Sequence, residues 1–125
     1  MANQRIAIIG LGRIGAAFLR QITRRLDHGL DLACVAEPMD TPGRQAAVQA
    51  GIKVCSLDDI VAMGEGIDVI FELTGLPEVR RQLREKLVGS ENSRTVIASE
   101  SIVRVIWALI GDEALPVIPG RATGY

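Results

Sequence analysis

The sequence predicts an α/β domain built on an open, doubly wound parallel sheet, and three observations lead there. Strand-like apolar runs and helical stretches alternate five times along the chain, the order that places helices on both faces of parallel strands. Hydrophobic residues make up 48% of the chain and aromatic residues only 3%, so the core falls to Ile, Val, Leu and Ala, the residues of buried parallel strands. A length of 125 residues suits a single domain.

The first strand is "RIAII" at 5–9, an apolar run expected of a strand covered on both faces. Behind it, Ile14, Phe18, Ile22 and Leu26 recur at i+4 spacing among arginines, an amphipathic helix that Gly29 ends. "DLACVAEP", 31–38, is the second strand. Thr41 and Pro42 are an N-cap and first-turn pair, and Gly51 stops the helix between them. "GIKVCS" reads as a short third strand, and Ser56 with Asp59 forms a capping box for the helix in "LDDIVAMG". "GIDVIFELTG", 66–75, is the fourth strand, and Pro77 and Glu78 open the helix that follows. "RTVIAS", 94–99, is the fifth strand and "SIVRVIWALIG", 101–111, the last helix. About five strands in the order 3-2-1-4-5 are expected, in one domain over 1–111 with an irregular tail over 112–125.

Charge and composition exclude several functions. Fourteen basic against fifteen acidic residues give a net charge of -1, no electrostatic footprint for nucleic acid. The start "MANQRIAIIGLGRIG" fits neither a signal peptide nor a membrane span, so a cytoplasmic protein is expected. Cys34 and Cys55 have no C-x-x-C spacing and read as buried, reduced thiols.

The motif that carries chemistry is the glycine turn. Gly10, Gly12 and Gly15 fit G-x-G-x-x-G, with a strand before them, a helix behind them and a second strand ending on Glu37. Gly10 makes the tight turn, Gly12 lets backbone approach a pyrophosphate, and Gly15 lets helix and strand pack closely. Leu11, Arg13 and Ile14 complete the turn, whose helix N-terminus favours anions. Glu37, followed by Pro38, stands where an acid accepts hydrogen bonds from the adenosine ribose. Its carboxylate repels a 2'-phosphate, so NAD is expected over NADP, with Arg44 partly offsetting the repulsion. Across the switch point, Thr74 and Gly75 are expected to face the cofactor near its nicotinamide end. Glu72 either points into that crevice or alternates outward.

No catalytic constellation accompanies this turn. The sole histidine, His28, falls at the far end of the first helix; Lys53 and Lys86 have no visible acid–base partner; and no Ser-His-Asp or paired metal-ligand spacing exists. The last helix is apolar at eight of the nine positions of "IVRVIWALI", with almost no solvent face. A homodimer through it and the fifth strand is expected, with Trp107 as the anchor or packed within its own monomer.

With "IAIIGLGRIG", "VAEP", "GIDVIFELTG" and "SIVRVIWALI" in place, the chain resembles the Rossmann-like amino-terminal domains of homoserine dehydrogenase, dihydrodipicolinate reductase and the Gfo/Idh/MocA oxidoreductases. That resemblance implies NAD(P) binding. Because those enzymes keep their substrate site largely in a second domain, it transfers no catalytic residue. "DVIFELTGLPEVRRQLREKL" followed by "ASESIVRVIWALI" is similar to a Rossmann-like module of bacterial sensor histidine kinases, which implies nucleotide sensing and a signalling partner. Three functions are thus in view. The first is an NAD(H)-binding or redox-sensing module without its own catalytic domain. The second is an oxidoreductase whose substrate site is completed by a dimer partner or another subunit, and the third is a nucleotide-free interaction domain.

Overall fold

The computed structural model describes residues 3–110; the expected tail over 112–125 lies outside the described residues. The chain runs β1 (Gln4–Ile9), α1 (Arg13–Thr23), β2 (Leu30–Ala36), α2 (Pro42–Gln49), α3 (Leu57–Ala62), β3 (Val69–Glu72), α4 (Pro77–Gly89), β4 (Val96–Ala98) and α5 (Glu100–Ile110). All strand pairs are parallel and the sheet order is β2-β1-β3-β4.

The sheet therefore has four strands rather than five. The stretch expected as the third strand does lie beside β2, but it touches it through one bridge, Val35 to Val54. Two hydrogen bonds make that bridge, Val35 N–H to the Lys53 carbonyl at 2.9 Å and Cys55 N–H to the Val35 carbonyl at 2.8 Å. Gly51, in the left-handed region at φ 76°, ends the turn of α2 on one side, and Ser56 caps α3 on the other. Residues 52–55 lie between them and meet β2 at this single bridge.

Strand alternation divides the core into two layers. Ile6 and Ile8 of β1 face Ile14, Phe18 and Ile22 of α1 and Val103 and Trp107 of α5. Ala7 and Ile9 face Ile60 of α3 and Leu83 and Leu87 of α4. On the first side Phe18 sits 4.6 Å from Phe71 and 6.4 Å from Trp107 between ring centroids, tilted contacts that add to the burial.

Two expectations about helices are corrected. The first helix ends at Thr23 and not near Gly29, because i,i+3 bonds from Arg25 to Ile22 and from His28 to Arg25 tighten the chain into a 3-10 turn at Leu26–His28. Leu26 consequently leaves the core and is 40% exposed. The last helix does have a solvent face: Val103 and Trp107 are buried while Ile102, Val105 and Leu109 are exposed. Trp107, buried against Phe18, is a core residue of its own monomer and not a dimer anchor.

The expected caps are present. The Thr41 hydroxyl accepts the Arg44 N–H at 3.1 Å, and Ser56 and Asp59 exchange two bonds of 3.0 Å in a capping box. Accepting both the backbone and the hydroxyl hydrogen bond of Ser56 holds the Asp59 carboxyl below its usual value. Among the described residues no helix is long and apolar enough to cross a membrane.

Candidate functional site

The carboxyl ends of β1, β2 and β3 converge on a cavity of about 740 Å³, within the ~300–1,000 Å³ common for small-molecule sites. The glycine turn forms its floor. Gly10 has φ 97° and donates its N–H to the Ala36 carbonyl at 2.8 Å, and a Cβ there would stand 2.8 Å from the Thr74 nitrogen. A Cβ on Gly15 would lie 1.8 Å from the Gly10 oxygen. Both glycines are thus fixed by packing, the first between β1 and the β3–α4 loop, the second between α1 and its own turn.

Gly12 is different. A Cβ there would meet nothing within 4 Å, and the residue lines the cavity. As the N-cap of α1 it offers no side-chain cap to the first helical amides, which have no partner inside a helix either. The partial positive charge of α1 therefore opens onto the cavity beside the exposed Arg13. Leu11 and Ile14 take part through the backbone only, since their side chains are buried in the core.

Glu37 closes one side. Its Oε1 accepts the Leu11 N–H at 2.8 Å and its Oε2 the Met39 N–H at 3.1 Å. Each oxygen keeps a second lone-pair site, so the carboxylate is both pinned and able to accept again. Arg44 lies alongside, its Nε donating to the Glu37 carbonyl at 2.9 Å. Arg13, Glu37 and Arg44 are the charged residues in the described lining, and Pro38 lines it as well.

The opposite side is the β3–α4 loop, where Thr74 lines the cavity. Glu72 does not alternate into solvent: it is fully buried, and its Oε1 accepts both the Thr74 N–H at 3.1 Å and the Thr74 hydroxyl. The Thr74 oxygen in turn accepts the Leu76 N–H at 3.0 Å. The hydroxyl proton is thereby committed to Glu72, and these bonds tie the loop to β3 where it meets Gly10. Gly75 has φ 75° and turns the chain toward α4, but is not among the cavity residues.

Two contacts that sequence reasoning passed over tie this site together. The Thr41 hydroxyl, besides capping α2, donates to the Leu11 carbonyl at 2.9 Å. Gly43 lets α2 approach the turn, since a Cβ there would lie 2.6 Å from the Leu11 oxygen. The cap signal of Thr41 was visible; its second bond, spanning thirty positions of sequence, had no local signature. Elsewhere, His28 is exposed beside Asp27 at 3.6 Å, and Lys86 reaches Asp58 at 2.8 Å, so neither joins the cavity. Burial, with the Cys55 thiol beside it, pushes the Cys34 thiol up to about 12. Cys55, half-buried, lines the cavity wall. Among the described residues no group of three or more His, Cys, Asp or Glu could hold a metal ion.

Solved structures share this fold. Homoserine dehydrogenase from S. aureus matches with a TM-score of 0.60 at 18% identity, over 90% of this chain and 30% of that one. Homoserine dehydrogenase from Thiobacillus denitrificans matches with a TM-score of 0.57 at 22% identity, over 89% of this chain and 27% of that one. The fold is Rossmann-like. The chain spans under a third of the length of those dehydrogenases. No protein-family model and no curated protein matches it.

Proposed function

We propose that this Rossmann-like domain binds a dinucleotide, with NAD preferred over NADP, and serves as a nucleotide-binding or sensing module. The observation that carries the reading is the uncapped N-terminus of α1 opening through Gly12 into the cavity, with Glu37 pinned at its side. The pyrophosphate sits on the first-turn amides of α1, where peptide dipoles and free N–H groups favour an anion. The ribose hydroxyls donate to the remaining lone pairs of Glu37. A 2'-phosphate at that position meets the carboxylate at close range, and Arg44, held alongside by its Nε bond to the Glu37 carbonyl, offsets this only in part.

Calorimetric titration of the protein with NAD and NADP tests this. NAD is expected to bind with a dissociation constant below about 1 mM, at least ~10-fold tighter than NADP. Gly12→Val should abolish binding while leaving the circular dichroism and thermal transition nearly unchanged, because the added side chain enters open space that the ligand needs. Absence of nucleotide binding at millimolar concentration overturns the proposal.

A further inference from the structure

We propose that Cys34, Cys55 and Met63 form a soft-metal site, three sulfur donors from three elements that together take one Cu(I) ion. The site lies behind the cavity wall and is independent of what the cavity binds.

The bridge between Val35 and Val54 sets two of the donors. Val35 and Val54 both belong to the core layer that holds α1 and α5, and alternation sends their neighbours Cys34 and Cys55 to the other layer, which holds α3 and α4. There the two thiols stand beside each other. Two donors alone are too few, and the third comes from the end of α3. Met63 is the C-cap of that helix, and its Sδ accepts the Cys34 thiol at 3.9 Å. Metal–sulfur bonds of ~2.3 Å in a trigonal set place the sulfurs roughly 4 Å apart, so this edge already has the spacing that one ion needs.

The donors select the ion. Thiolate and thioether sulfur are soft ligands that favour Cu(I). The rest of this core layer is aliphatic, with Ala7, Ala36, Ile60 and Ile70 among its buried members. The described residues there offer no fourth ligand of the kind that tetrahedral Zn(II) takes. Burial, and then the Cys55 thiol, push the Cys34 thiol up to about 12; a bound cation reverses that balance and displaces the proton. Coordination releases two thiol protons and changes no oxidation state. The filled site carries one net negative charge, which Lys53 and Arg5 oppose, since their charges pull the Cys34 thiol downward. Cys34 is fully buried whereas Cys55 is half-buried on the cavity wall, so the ion enters by way of Cys55.

The test is an anaerobic titration of the reduced protein with Cu(I) held by bicinchoninate, followed by X-ray absorption at the copper edge. One equivalent is expected to leave the chelator and to show three sulfur neighbours at ~2.3 Å. The thermal transition should rise with it, because an ion bound by the folded chain stabilises that chain. Met63→Leu, close in volume, should keep the fold, lower the affinity ~10-fold or more and leave two sulfur neighbours. Cys55→Ser, at a half-buried position, should lower the affinity at least ~100-fold. Cu(I) that stays on the chelator overturns the site, as does an affinity unchanged in either variant. Zn(II) bound as tightly as Cu(I) overturns the choice of ion.

Discussion

Glu37 ties the glycine turn to the end of β2 and lines the cavity. Its carboxylate accepts the amides of Leu11 and Met39, which fixes the glycine turn of β1 against the end of β2. Glu37→Ala leaves the Leu11 amide, on a residue with no exposed surface, without its charged acceptor, a loss of about 1–3 kcal/mol. That should appear as a lowered urea midpoint at unchanged m-value. The same variant removes the repulsion of a 2'-phosphate and leaves Arg44 in place on the residue 37 backbone carbonyl, so the preference for NAD over NADP should shrink toward parity in the titration. Position 37 was legible because an acid at the end of the second strand has a spacing from the glycine turn. Its two backbone bonds were not, since they depend on where β1 and β2 come to rest side by side.

At the scale of elements, one hydroxyl ties α2 to the glycine turn. Thr41 caps its own helix and reaches the Leu11 carbonyl, so Thr41→Val, nearly equal in volume, removes both bonds together. The expected cost is about 1–2 kcal/mol of stability, read by chemical denaturation. Nucleotide affinity should fall as well, because Gly43 and Leu11 are then free to drift apart; an affinity equal to the parent's would mean that the turn is rigid without α2. The elements with strong local signals, the capping box of α3 and the proline start of α4, were readable from sequence. The third strand was not, because apolar composition alone does not say how many residues will pair with the neighbouring strand. For α1, periodicity continued through Leu26 but the backbone tightened after Thr23.

For the whole molecule, the consequential feature is the exposed apolar strip on α5, Ile102, Val105 and Leu109, next to the exposed Val96 of edge strand β4. We propose that it seats a second copy of this chain, β4 against β4 and α5 against α5, because a twofold contact covers at once the apolar strip and the edge of β4 that pairs with no strand among the described residues. Sedimentation across a dilution series should show a concentration-dependent dimer. The double variant Ile102→Glu, Leu109→Glu should shift it to monomer without altering the thermal transition at low concentration, since neither side chain contributes to the core. A parent that stays monomeric throughout the series rejects the contact.

The sequence by itself determined the alternation of elements, the phosphate-type turn, the acid at its side and most helix caps. All of these are written in neighbouring residues, whose backbone preferences and hydrogen-bonding groups act over a few positions. Tertiary structure decided the rest: that Trp107 turns inward onto Phe18, that residues 52–55 make a bridge and not a strand, and that Glu72 is buried holding Thr74. It also decided that Thr41 and Gly43 clasp the turn, and that the ends of β1, β2 and β3 line one cavity. These depend on which segments meet once the helices close over the sheet, and contacts between residues distant in sequence leave no periodic trace along the chain.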